Sequence, residues 1–385
     1  MGIRYERRKD DDDNKNTADP WHVFGLGFGA PISSSEPPRI SLTGNTGDTE
    51  VTMLMEDPAP SLLTESATTA DVKYMRRCID LALCGKYHAA PNPMVGAVIV
   101  APDGRIIGEG YHVRCGEGHA EVNAFASVKP EDEHLLSEST IYVSLEPCAH
   151  YGKTPPCADL IVRKHVKRCV VGCIDPFAKV QGRGIEILRT AGINVTVGVL
   201  EKECQWLNRR FFTYHQKHRP YITLKWAQTA DQVIGVRDDR LLISNSHTQM
   251  LCHKLRSESH AILVGRGTAE ADQPSLNVRC WSGPSPRIFI LSHATGTIET
   301  LLRQMYDEGI QTLLVEGGST TLQSFIDLGL WDEAHVETSP KTRLQLTSST
   351  GEIVKAPILN NALLINKKTV CGHKIETYIN KNNQK

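Results

Sequence analysis

His119 and Glu121 stand two residues apart, and Cys148 and Cys157 follow with eight residues between them. One imidazole and two thiolates are three ligands of the kind that hold zinc, and they leave a fourth tetrahedral position for water. That is the ligand set of a catalytic zinc, because a structural site usually closes with four protein ligands. Both cysteines must ionise to bind. Pro155 and Pro156 precede Cys157 where a helix is expected to start, so amide donors and the helix dipole favour its thiolate. Glu121, at the start of its own expected helix, need not bind the metal yet can lie beside the open position. Zinc lowers the pKa of bound water to roughly 7. A carboxylate beside it can take that proton and return it to a ring nitrogen or to leaving ammonia. Zinc nucleobase deaminases use this arrangement, with the signature H-x-E…P-C-x-x-C. A plainer reading stays beside it, a structural zinc closed by Cys115 or His150, although such a site gives Glu121 no reason to be there.

The cysteine spacing departs from that signature, and the departure has a match. Leu145-Glu146-Pro147-Cys148-Ala149-His150-Tyr151-Gly152-Lys153-Thr154-Pro155-Pro156-Cys157 resembles the deaminase half of the bifunctional riboflavin-biosynthesis deaminase/reductase family. So do Pro91-Asn92-Pro93-Met94-Val95-Gly96, Gly110-Tyr111-His112 and His119-Ala120-Glu121-Val122-Asn123-Ala124, in the family's order. The resemblance implies a cytidine-deaminase-like three-layer α/β domain with one Zn2+ per chain on His119, Cys148 and Cys157. It implies Glu121 as the proton-shuttling catalytic residue, and Asn92, His112, Lys153 and Asp175 as substrate contacts. Taken singly, these last four have duller uses: a turn cap between prolines, a surface histidine, a solvated loop charge and a turn former after a strand.

The second half carries a weaker signal of its own. Leu313-Leu314-Val315-Glu316-Gly317-Gly318-Ser319-Thr320-Thr321 runs from an apolar strand through a glycine turn toward a helix. Amides at such a helix start receive phosphate, but two glycines mark a tight turn just as readily. It is not a G-x-G-x-x-G fingerprint, so a Rossmann domain is not supported. Tyr221–Trp226 through Gly235, Leu255–Leu263, Thr268, Asp272, Pro274, Leu276, Arg279 and Glu316-Gly317-Gly318 resemble the reductase half of the same family. That implies a dihydrofolate-reductase-like α/β domain using NADPH. Thr268, Asp272, Ser292, Gly318, Ser319, Thr320 and Thr321 would lie along the cofactor, and Arg256, Leu276, Arg279 and Glu316 would face the substrate. Two arginines suit a phosphate through their planar donor forks; surface ion pairing is their plainer use. Asp231-Gln232 stands where Asp-Gly is usual, Ala271-Asp272-Gln273-Pro274 replaces the commoner Asp-Asp-Pro, and Lys341–Lys355 is abbreviated. These departures leave open a deaminase whose reductase half has degenerated.

The elements that must position these residues follow from periodicity. Helical spacing begins near Asp71, with Tyr74, Met75, Cys78 and Ala82 on one face. Strands are expected at 95–100, 105–111, 141–145, 169–173 and 195–199, with helices at 119–128, from Cys157, and at 184–191. Glu201–Arg219 reads as one polar helix. Strands at 221–226, 261–264, 288–291, 312–315, 333–337 and 375–379 then alternate with helices at 246–257, 300–307 and 321–328. Strand–helix alternation argues α/β layers. Two domains are expected, at 71–215 and 220–380. Residues 1–70, with four consecutive aspartates from Asp10 and few periodic apolar positions, are expected to be a disordered extension.

A chain of 385 residues accommodates two such domains. Its 43 basic and 44 acidic residues give a net charge of −1, no field for nucleic acid or an anionic membrane. That balance disfavours a nucleic-acid deaminase, the second reading of the zinc residues; a metal-stabilised binding protein is the third. Apolar runs fall far short of a membrane span. Eleven cysteines without an apolar leader suggest reduced thiols in the cytoplasm. The resemblance implies a small-molecule substrate, a phosphoribosylaminopyrimidine. That compound would be deaminated and its ribosyl group then reduced to a ribityl phosphate, in a homodimer or homotetramer.

Overall fold

The computed structural model describes residues 68–151, 155–177, 181–237 and 239–383. Lys153 and the first 67 residues of the expected extension lie outside them, whereas residues 68–70 already belong to the first helix and its cap.

Helix α1 (Thr69–Cys84) starts on a capping box. Thr68 Oγ1 accepts from the Asp71 amide at 3.1 Å, and the Asp71 carboxylate accepts from the Thr68 amide at 2.8 Å. Strands β1 (Gly96–Val100), β2 (Ile106–Tyr111), β3 (Thr140–Leu145), β4 (Arg168–Cys173) and β5 (Asn194–Val197) form one sheet in the order β2-β1-β3-β4-β5. β1 runs antiparallel to β2 and β3, and β3, β4 and β5 are parallel. Side chains alternate across a strand, so β1 feeds two cores. Ala97 and Ile99 pack with α2 (Ala120–Ala126), α3 (Cys157–Arg163) and α4 (Arg183–Thr190), while Val98 and Val100 pack with α1 and α5 (Glu201–Leu207). The result is three layers. Every residue of β1 is buried, which explains its unbroken apolar run.

The single helix expected over Glu201–Arg219 is two, α5 and α6 (Arg209–Lys217), broken at Asn208. Asn208 Oδ1 accepts from the Met94 amide and its Nδ2 donates to the Met94 carbonyl, both at 2.8 Å. A short polar side chain claimed by another segment leaves the helix easily.

The second sheet is built from β6 (Tyr221–Gln228), β8 (Ala261–Gly265), β9 (Arg287–Leu291), β10 (Thr312–Val315), β11 (Glu333–Thr338), β13 (Ala362–Val370) and β14 (His373–Asn380). Between them come β7 (Val233–Val236) and β12 (Ile353–Lys355), which pair with each other. Sheet order is β13-β14-β11-β6-β10-β8-β9, parallel from β11 to β9 and antiparallel at β14 and β13. The helices are α7 (Ser246–Ser257), α8 (Arg266–Asp272), α9 (Ile298–Asp307), α10 (Ser319–Asp327) and a short α11 (Arg343–Leu346). Leu301, Met305, Leu322 and Phe325 of α9 and α10 cover one face against Ile222, Leu224, Leu313 and Val315. On the other face Ile262, Val264 and Leu314 pack with Leu276, Leu255 and Ala269. Among the described residues no helix is long and apolar enough to cross a membrane. All eleven cysteines are free of disulfides.

Candidate active sites

Three loops of the first sheet converge on one point. His119 caps α2 from an extended backbone, which places Glu121 in the first helical turn, 3% exposed. α2 lies close on β2 because Gly110 has no side chain; a Cβ there would overlap Ala120 O and Ala124 N. Cys148 follows the end of β3, and Cys157 is the first residue of α3. His119 Nδ1 lies 3.5 Å from Cys148 Sγ and 3.3 Å from Cys157 Sγ, and the three ligand atoms all lie within 4.8 Å of one another. Zn–S of about 2.3 Å and Zn–N of about 2.0 Å at a tetrahedral angle put N and S about 3.5 Å apart. Donor types and spacing therefore fit one zinc. Among the described residues neither Cys115 nor His150 joins the cluster.

The electrostatics have the same meaning. The Cys148 thiol is held down to about 4, first by its contact with Cys157, which also donates its amide to Cys148 Sγ at 3.2 Å, and then by His119. The hydrogen bond to Cys148 raises His119 to about 8. Burial raises Glu121 to about 7. Cys157 is pushed strongly up by Cys148 and by burial. Two thiols beside a buried carboxylate ionise together only around a cation, and a divalent metal is the group that deprotonates a coordinating thiol outright.

Asn92 and His112 are brought to this point. The His112 ring stands 5.4 Å from that of His119, edge to face. Its Nδ1 is 3.1 Å from Gly118 O, which can only accept, so the neutral ring carries its proton there and Nε2 accepts from Asn92 Nδ2 at 3.1 Å. Burial lowers the His112 pKa and keeps it neutral. Asp175, raised to about 6 by burial, accepts from the Phe177 amide at 2.8 Å, a turn-forming use. Glu146 escaped sequence reasoning as a positioning residue. Buried beside Pro147-Cys148, it accepts from the amides of Asp175 (3.2 Å), Gly182 (2.9 Å) and Gly184 (3.0 Å) and gathers the loop after β4. Its signal was a carboxylate placed between a largely apolar strand and a Pro-Cys pair.

In the second sheet the sequence-singled residues gather at the carboxyl ends of β8, β9 and β10, where parallel α/β sheets bind ligands. Thr268 Oγ1 accepts from the Gly318 amide at 3.0 Å. Gly318 caps α10 without any side-chain cap, so the first amides of that helix, at Ser319 and Thr320, are left for an anion. Thr321 is buried under Gly317, where an added Cβ would sit 2.7 Å from its own Cβ. Asp272 ends α8, and Ser292 follows Leu291, which stands opposite Gly265. The uncapped amides at the start of α10 suit a phosphate of NADPH, while the Asp272 carboxylate can only accept, as from a ribose hydroxyl.

Glu316 holds Arg256 in a two-point ion pair (3.0 and 2.7 Å) and accepts from Cys252 Sγ at 3.3 Å. The Arg256 fork is thus used inside the protein, and its remaining nitrogen donates to Asn277 O at 3.1 Å. Arg279 is the exposed guanidinium of the pair, donating to Asn277 Oδ1 at 3.0 Å. Leu276 is buried with a left-handed backbone, φ 49°. Lys225 of β6 was missed. Burial works against its charge, but Cys252, Glu316 and Glu337 hold the ammonium protonated. Glu337 is itself fixed by His373 Nδ1 at 2.9 Å and the Ser244 hydroxyl at 2.7 Å. A lysine in a largely apolar central strand was its signal.

Residues 68–173 match the family described as the cytidine and deoxycytidylate deaminase zinc-binding region, and residues 220–343 match the RibD C-terminal domain. The chain is 37% identical over 315 residues to the riboflavin biosynthesis protein RibD of Aquifex aeolicus, covering 70% of this chain and 87% of that one. It is 34% identical over 323 residues to RibD of Actinobacillus pleuropneumoniae, covering 71% and 85%. Among solved structures it resembles Acinetobacter baumannii RibD with a TM-score of 0.70 at 29% identity, covering 80% of this chain and 98% of that one. A diaminohydroxyphosphoribosylaminopyrimidine deaminase/5-amino-6-(5-phosphoribosylamino)uracil reductase from Thermotoga maritima gives 0.69 at 32% identity, covering 81% and 99%.

Proposed function

Because the chain belongs to the RibD family of bifunctional riboflavin-biosynthesis enzymes, we propose that it deaminates 2,5-diamino-6-(5-phosphoribosylamino)pyrimidin-4-one and then reduces the ribosyl group of the product to ribityl phosphate. Residues 71–215 carry the first reaction and residues 220–380 the second. The observation that carries the reading is the buried Glu121 two residues from His119, in a cluster with Cys148 and Cys157.

His119, Cys148 and Cys157 would hold the zinc, which would supply a Lewis acid and a water activated at neutral pH. Glu121 takes one proton of the attacking water at its carboxylate and gives it to the ring nitrogen; it then takes the second, from the hydroxyl left on the carbon, and gives it to the amino group as the C–N bond breaks and ammonia leaves. Asn92, fixed by His112, orients the ring, and Asp175 and Lys153 complete the contacts. Glu121→Gln keeps shape and removes the base. Ammonia release is expected to fall by about 10²–10⁴ with zinc still bound by elemental analysis; full activity would reject the assignment.

In the second reaction Thr268, Asp272, Ser292 and Gly318–Thr321 would hold NADPH, which would supply a hydride for C1′ of the sugar. Lys225 holds a proton at Nζ for the ring oxygen released as the C1′–O4′ bond opens, and Glu316 keeps that ammonium charged. Arg279 is free for the substrate phosphate, while Arg256 fixes Glu316 and Leu276 packs beneath. Lys225→Met is expected to abolish NADPH oxidation and to leave ammonia release intact. A homodimer or homotetramer in the cytoplasm belongs to the same reading through the family resemblance, and light scattering measures the assembly.

A further inference from the structure

We propose that the reductase half positions the substrate loop of the deaminase, with Gln311 as the positioning residue and Asn208 holding the same loop from its other end. The proposal rests on the reading of Asn92 as a pyrimidine contact. Asn92 sits in the segment 89–94 between Pro91 and Pro93, neither of which has an amide proton. Inside the segment the Asn92 amide donates to Ala89 O at 2.9 Å, whereas the Pro91 carbonyl and both polar groups of Met94 take their partners from outside. Gln311 Nε2 donates to Pro91 O at 2.8 Å, immediately before Asn92. Two residues after it, the Asn208 carboxamide bonds both polar groups of Met94.

Gln311 is a stiff arm. It is 7% exposed, its carbonyl accepts from the Tyr221 amide at 2.8 Å, and its amide donates to His260 Nδ1 at 3.2 Å. These bonds fix its backbone at the start of β10, between β6 and β8. A second, independent tie lies alongside. Glu258, at the end of α7, meets Lys86 at 3.1 Å, in the turn leading to the loop, and Arg210 of α6 at 3.6 Å. Arg210 also donates to Glu258 O at 3.1 Å. Asn92 is thus set by the second sheet from one side and by the α5–α6 break from the other. A misplacement of about 1 Å in a binding group is enough to cost considerable rate or affinity.

The test is Gln311→Leu, which keeps most of the volume and loses the donor; Gln311→Met, unbranched, serves should the first not fold. Ammonia release is measured with the diaminopyrimidine, and NADPH oxidation separately with the deaminated intermediate. KM for deamination is expected to rise roughly fivefold, as for one lost hydrogen bond, with kcat within about twofold. Zinc content and NADPH oxidation should be unchanged. Asn92→Ala should raise KM further, and the double variant Asn92→Ala/Gln311→Leu should be no worse than Asn92→Ala alone. An unaltered KM in Gln311→Leu beside a raised one in Asn92→Ala would overturn the positioning role only. Full additivity in the double variant would overturn it as well. A normal KM in Asn92→Ala would reject the reading of Asn92 and the proposal together.

Discussion

Gln232 occupies a left-handed backbone position, φ 60°, where the sequence had replaced an expected glycine. The turn survives the substitution: Gln232 N donates to Thr229 O at 3.0 Å, and Val233 N donates to Thr229 Oγ1 at 3.0 Å. A residue with a Cβ pays about 1–2 kcal/mol for that conformation, and glycine loses part of the gain to its freer unfolded chain. Gln232→Gly is therefore expected to stabilise the fold by about 0.5–1 kcal/mol. The urea midpoint should rise with NADPH oxidation unaltered; a lower midpoint would mean that the glutamine side chain makes a stabilising contact. Gln273 takes the same conformation, φ 40°, at the end of α8. Both positions thus carry a side chain on a left-handed backbone. The cluster of His119, Cys148 and Cys157 was legible because their types, order and flanking prolines are local facts. Lys225 and Glu146 were not, because a charged residue gains its meaning from partners 91 or 29 residues away, at Glu316 and Asp175.

At the scale of elements, Asp71 joins α1 to two strands. Besides closing the capping box, its carboxylate accepts from Arg168 of β4 at 2.7 and 3.1 Å and from the Tyr142 hydroxyl of β3 at 2.9 Å. Burial pushes its pKa up, but Arg168, the Thr68 amide and Tyr142 together hold it below its ordinary 3.8. The folded pKa is lower than the unfolded one, so ionised Asp71 stabilises the fold at pH values above 3.8, and that contribution is lost as pH falls through the folded value. Urea midpoints taken from pH 6 downward are expected to fall more steeply for the native chain than for Asp71→Asn, which should already be destabilised at pH 6. Parallel acid slopes would remove Asp71 from the account. α1 itself was legible from its 3.6-residue spacing. The break at Asn208 was not, since its cause, Met94, lies 114 residues earlier. β13 was hidden for another reason: it is an edge strand, largely exposed and carrying adjacent lysines, so it lacks the alternation that marks a half-buried strand.

For the whole molecule, the two sheets keep separate apolar cores, and each groups its own chemistry-bearing residues. The two cores of the first sheet are built from apolar side chains such as Ala97, Ile99, Val98 and Val100, and none of His119, Cys148 and Cys157 belongs to either, so their burial does not run through the zinc cluster. Removing zinc by dialysis against a chelator is therefore expected to stop ammonia release while leaving the urea midpoint within the shift that loss of one bound ligand explains. NADPH oxidation with the deaminated intermediate should continue at its full rate. With the diaminopyrimidine as the sole substrate, the zinc-loaded enzyme should show ammonia release first and NADPH oxidation after a lag, and the chelated enzyme neither. Unfolding of the first sheet on chelation, seen as loss of cooperative urea transition, would instead make the zinc structural, as in small metal-dependent folds. Prompt NADPH oxidation by the chelated enzyme with the diaminopyrimidine would reverse the order of the two steps. Because the residues that tie the sheets, Gln311 and Glu258, touch Pro91 of the deaminase loop and Lys86 of the turn before it rather than the zinc ligands, the chelated chain should keep its reductase geometry, and the two activities should part cleanly in this experiment.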